Sequence, residues 1–413
     1  MQEAYMQQFN GIEYLKIDVA NSFGLDKKKW NERLAWFNEN EHQLDSLIEQ
    51  ADSPAMFFAG VQAYRDAREG KPIGYPISLD ATASGMQILA CLTGDRKAAE
   101  LCNVVPVFGD DAEALRIDGY TVIYDRMVTT IGEAGQIERD DCKQGIMTSL
   151  YGSQAMPKKV FGEGKLYYTF QDTMNESAPA VWELNSAFLD IWDPEATEHN
   201  WTLPDLFHVK VKVMDEETET VHFLNAPYDT YRKVNRATES GRSLGANGTH
   251  SIDGYVVREM IRRCMYDMEL IRNVRRMIAE NKAGYKIQPV KDADYDMVVS
   301  LWDMYLKTGM LSLRICDYLD YDNIGLVDVE VVEALLDTLP KKPFQVITNH
   351  DCFRCLPHYG NDLRKQYNRM LYELAKGNLL SHMLSQMTNS DVQIGKLDPT
   401  LADDILNTEY ALS

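Results

Sequence analysis

The stretch ITNHDCFRCLPH, residues 347–358, decides the fold because it predicts two short strands joined at a charged tip. The apolar runs KPFQVIT before the tip and CFRCLP after it are both typical of β-strands. His350 and Asp351 form the predicted turn between the strands. Two interpretations are open at this point: a metal site built from the cysteines and histidines, or a hairpin whose tip presents the Asp351 carboxylate.

A zinc site would need about four ligands that converge on one point. Successive side chains of a strand point to opposite faces. His350, Cys352 and His358 would therefore point to one face and Cys355 to the other. We therefore favour Cys352 and Cys355 as buried structural thiols. Asp351 is then the residue of this stretch that carries chemistry.

A second strand-like run with a carboxylate at its end lies far upstream, in YPISLDATASG at residues 75–85. Ile77 to Leu79 is β-like, Asp80 ends the run, and small residues follow. The sequence thus contains two carboxylates, Asp80 and Asp351, that each lie at the end of a predicted strand.

Between the two carboxylates, RDDCKQGIMTSLYGS at residues 139–153 places Arg139, Lys143, Met147 and Tyr151 four residues apart. On a helix this spacing keeps the four side chains within a sector of about 120°. One helix face would then carry two cations and one phenol. Cations together with paired carboxylates suit phosphoryl chemistry, because the carboxylates can hold divalent ions while the cations hold a triphosphate.

The bulk composition is that of an ordinary globular protein. The 413 residues are 45% hydrophobic and 25% charged, enough for one large multi-lobed enzyme or two to three domains. No apolar run approaches the roughly 20 residues that cross a bilayer, and the start MQEAYMQQFNG lacks the pattern of a signal peptide. We expect a cytoplasmic protein without a membrane partner, in the host cytoplasm if the chain is viral.

The charge and the cysteines add two further expectations. A net charge of −21, taken alone, argues against binding to nucleic acid, unless the basic residues cluster on one face. The seven cysteines are an odd number scattered along a long chain, which favours reduced thiols over a disulfide framework.

The rest of the chain gives a coarse secondary structure. The first 75 residues and residues 363–374 are predicted helical, and HVKVKVMDEETETVHFLN at 208–225 predicts a β-hairpin that turns at DEET. Residues 241–250 are predicted to form a loop, followed by one long helix over 251–281 with Ser251 or Asp253 as its N-cap. Residues 285–340 are acidic and irregular, with one helical patch at VVSLWDMYL.

Together these motifs resemble the bacteriophage-type single-subunit DNA-directed RNA polymerases, which also occur in mitochondria. LDATASGMQ is similar to the family's first palm motif, the spaced R-K-M-T-Y-G-S pattern to its fingers helix, and H-D-x-F at 350–353 to its second palm motif. EYLKIDVAN, THSIDG and the closing GKLDPTLADDILNTEYALS are similar to further family elements. The resemblance runs in order from about Glu13 to Ser413.

The resemblance implies a two-metal active site. Asp80 and Asp351 would ligate two Mg²⁺ ions, with the carbonyl of Ala81 assisting, since Mg²⁺ prefers oxygen ligands and keeps several waters. Arg139 and Lys143 would neutralise the triphosphate of the incoming nucleotide.

Further site residues follow from the same resemblance. Lys16 would help to hold the triphosphate. Tyr151, followed by Gly152, would lie under the incoming sugar and favour ribose over deoxyribose. His250 would contact the sugar edge of the new base pair, and Tyr120 would lie near the template.

The fold implied by the resemblance is an α+β right-hand polymerase, with mostly helical fingers and a small antiparallel palm sheet. The palm would comprise residues 1–115 and 254–413, with an acidic insertion at about 285–340. The fingers would comprise 116–253, including the 208–225 hairpin. The family's thumb and N-terminal domain precede the region of resemblance, so we expect them to be absent from this chain and supplied by a second polymerase subunit, as in the heterodimeric enzyme of one group of lytic phages.

The other expected partners are a DNA template, the RNA product, NTPs, and an accessory protein that recruits the enzyme to promoters or single-stranded DNA. The 208–225 hairpin occupies the place of the family's promoter-reading loop, but its acidic turn would be repelled by phosphates. Gln144 and Ile88 replace a common Arg and a His of the family, at positions without an assigned metal or phosphate role.

Two alternatives stay open. One is a DNA polymerase of the bacterial repair type, which shares the fingers helix and the HD motif, although DATASGMQ lacks the acidic residue that this family carries after its first Asp. The other is a non-catalytic subunit of a transcription or replication complex, which the presence of all the catalytic side chains disfavours.

Overall fold

The computed structural model describes residues 6–110, 112–132, 137–241, 243–285 and 287–413. The helices of these residues are α1 Gly11–Ala20, α2 Trp30–Asn40, α3 Pro54–Arg68, α4 Ser84–Thr93, α5 Arg96–Leu101, α6 Gly119–Ile131, α7 Arg139–Leu150, α8 Ala155–Phe161, α9 Lys165–Ser177, α10 Pro179–Asp190, α11 Ser243–Cys264, α12 Met268–Lys282, α13 Ala293–Thr308, α14 Val329–Asp337, α15 Gly360–Lys376 and α16 Leu379–Thr388. The strands are β1 Ile77–Asp80, β2 Glu198–Thr202, β3 His208–Lys212, β4 Met214–Phe223, β5 Ala226–Asn235, β6 Ile347–Asn349 and β7 Cys352–Cys355. Helices with small antiparallel sheets agree with the predicted α+β class. None of the described helices combines the length and apolar composition that a membrane crossing requires.

A three-stranded antiparallel sheet in the order β1-β7-β6 joins the two strands that the sequence predicted. The register pairs Asp80 with Cys352 and Ile77 with Cys355. The hairpin β6–β7 turns at His350 and Asp351, with His350 at a φ of 59°. The predicted hairpin and the predicted strand are therefore confirmed, and they pair with each other.

The sheet has one core face and one polar face. Leu79 and Phe353 are paired residues and are both almost fully buried in the main core, where the Phe353 ring lies 5.6 Å from the ring of Tyr367 on α15. Directly paired residues of an antiparallel ladder share a face, so Asp80 and Cys352 both point to the opposite side. Cys352 and Cys355 thus lie on different faces of the sheet, as the alternation predicts.

The predicted loop at residues 241–250 and the single helix after it are both wrong. Residues 243–250 are the first turns of α11, so Ser251 and Asp253 lie inside the helix instead of capping it. Gly245 and Gly248 allow a close helix contact here, because a Cβ at either position would lie within 3.5 Å of the Phe188 side chain on α10. The glycines that suggested a loop therefore serve packing.

The helix predicted over 251–281 is interrupted after Cys264. A second helix, α12, begins at Met268, and Asp267 is its N-cap, with the side chain accepting hydrogen bonds from the amides of Glu269 and Leu270. The apolar periodicity continues through the interruption, which explains why the sequence pattern did not show it.

The predicted hairpin over 208–225 is also wrong in its turn. β3 pairs with β2, and β4 pairs with β5 around a turn at Leu224 and Asn225, whose φ angles are 49° and 61°. The acidic DEET segment lies within β4, where Asp215 and Glu217 form ion pairs with arginines of β5 and of the segment that follows it. These cross-strand charges favour pairing, so the segment that looked like a turn is extended.

Residues 285–340, predicted to be irregular, contain α13 over the predicted helical patch and also α14. Together with α12 they enclose a second hydrophobic cluster, separate from the main core, whose buried members include Ile271, Val274, Ile278, Val298, Leu301, Ile315, Val332 and Leu336. The acidic composition of this segment therefore describes its surface and not its interior.

A buried ionic network ties α11 to α15. The guanidinium of Arg263 is fully buried and donates to both carboxylate oxygens of Glu373, at 2.7 and 2.8 Å. Its Nε donates to Glu259, which also accepts from the amide of Leu313 at 3.1 Å. The network fixes the helix that carries His250 against the helix that follows β7.

We expect Glu373→Ala to lower the free energy of unfolding by about 3 kcal/mol, because it leaves a buried guanidinium with half of its partners. Urea unfolding of the full chain measures this loss. Asp303→Ala is the control, since it removes an exposed ion pair with Lys307 worth less than about 0.5 kcal/mol. Equal losses in the two variants would contradict the assignment.

Candidate active site

A cavity of about 410 Å³ brings together residues that are far apart in the sequence. Asp80, Ala81, Tyr120, Arg139 and Lys143 all line it, and all five were predicted as site residues. Asp80 ends strand β1 and Ala81 follows it directly, Tyr120 lies at the start of α6, and α7 supplies the two cations. The structure therefore assembles the core of the predicted site around one opening.

The two predicted metal carboxylates are neighbours. Asp80 pairs with Cys352, the residue after Asp351, and the amide of Ala81 donates to the carbonyl of Asp351 at 3.1 Å. Burial raises the pKa of the Asp80 carboxyl, and the negative charge of Asp351 raises it further. Within the described residues neither carboxylate forms an ion pair. This is the electrostatic situation that a bound cation would relieve.

The outer edge of β1 is covered by residues 411–413. Ser413 and Asp80 exchange two backbone hydrogen bonds of 2.9 and 3.3 Å, and the amide of Thr82 donates to the carbonyl of Ala411 at 3.2 Å. The backbone around Asp80 is thus held from both sides, because β7 pairs with the other edge.

The cations of α7 point into the cavity as the four-residue spacing predicts. Arg139 forms an ion pair with Asp118, and its Nε donates to the hydroxyl of Thr121 at 2.7 Å. The ammonium of Lys143 lies 5.6 Å from the centre of the Tyr120 ring. Arg139 is therefore held in position by α6, while Lys143 is restrained by a weaker cation–π contact.

Lys27 also lines this cavity, and the sequence reasoning did not single it out. It lies in the run DKKKW at residues 26–30, where nothing in the spacing separates one lysine from the next. Only the path of the chain between α1 and α2 brings this lysine to the carboxylates.

Lys16 is not among the residues that line the cavity. Its ammonium donates to the amide oxygen of Asn38 at 2.7 Å and lies over the rings of Phe37 and Tyr64. Asp18, two residues further along α1, does line the cavity. Two residues correspond to a rotation of about 200° on a helix, so Lys16 points to the other side. Its role at the triphosphate stays a prediction.

A column of rings lies beside the carboxylates. The ring of Tyr151 stacks on His250 at 4.6 Å and 12°, and His250 meets His350 edge to face at 5.8 Å. Nδ1 of His350 lies 3.0 Å from a carboxylate oxygen of Asp253. Burial lowers the pKa of His250, which favours its neutral form within the stack. The sequence had considered Asp253 only as a helix cap.

Two glycines make room for Tyr151. A Cβ on Gly85, in the SG pair of the first motif, would lie 2.7 Å from the Tyr151 hydroxyl. Gly152 has a φ of 81°, a conformation that glycine adopts at little cost, and it turns the chain away after α7. The motif glycines therefore fix where the phenol lies.

Asp18 holds β1 in place from below the cavity. Its carboxylate is buried and accepts hydrogen bonds of 2.7 Å from the amide of Ser78 and from the hydroxyl of Tyr75. Burial raises the pKa of Asp18 to about 6, although both hydrogen bonds act in the opposite direction.

This shift predicts a pH-dependent stability. The folded state binds the Asp18 proton more tightly than the unfolded state does, so the contribution of Asp18 to stability falls as pH rises from about 4 to about 6. Asp18→Asn removes that loss. Between pH 4 and pH 7 we expect the free energy of unfolding of the variant to rise by about 3 kcal/mol relative to that of the unmodified chain, as measured by urea unfolding. A difference that does not change with pH would contradict the assignment.

Residues 7–167 match the family described as DNA-dependent RNA polymerase. Over these residues the chain is similar to phage-type RNA polymerases. The matched part includes α1, β1 and α7, and with them Lys27, Asp80, Arg139 and Lys143. The match ends before Asp351, so the place of Asp351 beside Asp80 comes from the tertiary structure.

Curated relatives agree with the family. A probable DNA-directed RNA polymerase of Neurospora crassa is 30% identical over 161 residues, which are 35% of this chain and 18% of the relative. The DNA-directed RNA polymerase of Pseudomonas phage phiKMV is 28% identical over 180 residues, covering 35% of this chain and 21% of the relative. A mitochondrial DNA-directed RNA polymerase of Schizosaccharomyces pombe is 27% identical over 165 residues, 34% of this chain and 14% of the relative. The matched segments make up about a fifth or less of the length of these RNA polymerases.

Proposed function

We propose that this chain carries the nucleotidyl-transfer site of a DNA-directed RNA polymerase. The observation that carries the proposal is the pairing of β1 with β7, which sets Asp80 beside Asp351 while Arg139 and Lys143 line the adjoining cavity. The family match over residues 7–167 supports the same conclusion. In this proposal the sheet is the floor of the palm in a right-hand fold, and α6 to α10 belong to the fingers.

The donor set fits Mg²⁺. Two carboxylates without an ion-pair partner, one of them with a raised pKa, are hard oxygen ligands for a divalent ion. The described residues contain no group of three acidic, histidine or cysteine side chains that could hold a metal, so the remaining ligands would be water, phosphate and backbone oxygens such as that of Ala81. Two bound Mg²⁺ ions would supply charge stabilisation at the attacking and leaving oxygens.

The cations of the chain would orient the substrate. Lys143, Arg139 and Lys27 line the cavity and would neutralise the triphosphate of the incoming NTP, which lowers the cost of charge developing on the pyrophosphate. The RNA 3′-hydroxyl would lose its proton to water as its oxygen bonds to the α-phosphorus, while the bond from the α-phosphorus to the bridging β-phosphate oxygen breaks and pyrophosphate leaves. The residues named here position the groups and provide no covalent intermediate.

The ring column would form the sugar side of the site. Tyr151 would lie under the ribose of the NTP, His250 would contact the sugar edge of the new pair, and Tyr120 would lie near the template. The stacking of Tyr151 on His250 supports this proposal, because it fixes the phenol next to the carboxylates. Gly152 would allow the close approach.

The partners belong to the same proposal. The function requires a DNA template and NTPs, and RNA is its product. A second polymerase subunit with the promoter-binding and thumb functions, and an accessory protein for recruitment to DNA, remain predictions. The matched relatives are named RNA polymerases, which favours this function over a repair-type DNA polymerase.

The first test is extension of a short RNA–DNA hybrid with Mg²⁺ and NTPs. Asp80→Asn and Asp351→Asn should each reduce extension by more than about a hundredfold, because each removes a proposed ligand of the metal ions, while the folded state is kept. Asp303→Asn is a matched exposed control. Near-normal extension by either site variant would refute the two-metal assignment.

The same assay separates a self-sufficient chain from a split enzyme. Extension by the purified chain would show that the proposed second subunit is not needed for elongation. If the folded chain is inactive and an added partner restores extension, the second subunit contributes to elongation. Inactivity under both conditions would favour the non-catalytic alternative.

We expect Tyr151→Phe to relax sugar choice while rNTP extension is largely kept, because the change removes a hydroxyl and preserves the ring that stacks on His250. The ratio of kcat/KM for rNTPs and dNTPs measures the effect, with an expected fall of about tenfold or more. Tyr168→Phe, an exposed tyrosine on α9, is the control. An unchanged ratio would refute the assigned role of Tyr151.

A further inference from the structure

Arg354 is a cation of the catalytic cavity to which the proposed function gives no role. It lies on β7, the central strand, and pairs with Ser78 on one side and Ile347 on the other. Paired residues share a face, so Arg354 points to the same side of the sheet as Ser78 and Asp80. All three residues line the cavity.

The contacts of Cys352 support this placement. Its thiol lies 3.0 Å from the hydroxyl of Ser78. Cys352 lies directly across the ladder from Asp80, and Arg354 is two residues further along the same strand, on the same face. The side chains of Asp80 and Arg354 therefore flank one thiol on the polar face of the sheet.

The guanidinium of Arg354 is incompletely satisfied. Its Nε is buried and has no hydrogen-bond partner in the described part of the chain. No described carboxylate forms an ion pair with it, although its charge lowers the pKa values of both Asp18 and Asp80. Arg354 is partly exposed and lines the open cavity, so an anionic ligand could reach the accessible part of its guanidinium.

A phosphate group fits this site. The planar guanidinium offers two parallel N–H donors that match phosphate oxygens, and it keeps its charge at all physiological pH values. Arg354 lies two residues beyond Cys352, a distance of about 7 Å along the strand and away from the hairpin tip. It could therefore bind a phosphate close to the reacting groups without displacing the metal ligands.

The geometry of the reaction distinguishes between two phosphates. An in-line displacement places the attacking and the leaving oxygen on opposite sides of the α-phosphorus. In the proposed function the leaving pyrophosphate is held by Arg139 and Lys143, which lie on α7, whereas Arg354 lies on the sheet. The RNA strand that carries the attacking hydroxyl would then lie over the β-sheet, beside Arg354.

We propose that Arg354 binds a phosphodiester of the RNA strand next to its 3′ end and so positions the attacking hydroxyl. This inference rests on the proposed function and adds a primer-positioning residue to it. Arg354 is not a metal ligand and does not touch the triphosphate.

The test measures binding of a fluorescently labelled RNA–DNA hybrid to the full chain, without NTPs or metal, from about 50 to about 200 mM salt. Arg354→Gln should weaken binding about tenfold. It should also make the negative slope of log K against log salt less steep by about 0.7 to 0.9, the value for one phosphate contact. Arg354→Lys should recover the slope but only part of the affinity, because the ammonium keeps the charge and loses the fork.

Arg65→Gln is the matched control. Arg65 lies on α3, forms an exposed ion pair with Asp45 and does not line the cavity. This variant loses the same charge and should leave both the affinity and the salt slope unchanged.

Three results would overturn the inference. Unchanged hybrid binding with a raised KM for NTPs would place Arg354 at the triphosphate. Unchanged hybrid binding with a lowered melting temperature would make Arg354 a structural counter-charge for Asp18. Failure of the unmodified chain to bind the hybrid even at the lowest salt would also refute it.

The outcome is separable from that of the proposed function. Asp80→Asn tests catalysis and should keep hybrid binding. If the unmodified chain extends RNA while Arg354→Gln binds the hybrid equally well, only the inference fails. If the unmodified chain binds the hybrid with the expected dependence on Arg354 but extends no RNA under any condition, the proposed catalysis fails and the phosphate contact stands.

Discussion

The antiparallel pairing of β1 with β7 is the constraint on which the rest of the site depends. One face of the short sheet is buried, and side chains alternate, so a shift of one residue in this pairing would turn Asp80 into the core and Leu79 out of it. Hydrogen bonds from other parts of the chain stabilise this strand register. The carboxylate of Asp18 accepts from the amide of Ser78, and residues 411–413 cover the outer edge of β1.

A second set of contacts brings α11 to the sheet. The buried pair of Arg263 and Glu373 fixes α11 against α15, and Gly245 and Gly248 let α11 approach α10 closely. The same helix then presents His250 and Asp253 to the hairpin tip. The ring column and the carboxylates are therefore held by helices whose own positions rest on buried polar and small-residue contacts.

Local charge, not net charge, decides what the cavity can bind. The chain has a net charge of −21, yet lysines and arginines from the α1–α2 connection, the segment before α6, α7 and β7 line the same cavity as Asp80. Much of the acidic excess lies elsewhere, as on the module of α12 to α14, whose interior is apolar. A field focused by a cleft acts at short range, so the overall charge does not exclude a phosphate-rich substrate.

The sequence by itself determined the elements whose periodicity is local: the strand ending at Asp80, the hairpin tip at Asp351, and the helix face carrying Arg139 and Lys143. It could not determine which separated residues meet. Only the tertiary structure decided that Lys27 lines the cavity while Lys16 points away, that Asp253 faces His350, and that Arg354 shares a sheet face with Asp80. It also decided where α11 begins and where β4 turns, because glycines and acidic residues in those segments are used for packing and cross-strand ion pairs. Side-chain alternation and helical spacing act over a few residues, whereas these contacts depend on how whole helices and strands pack.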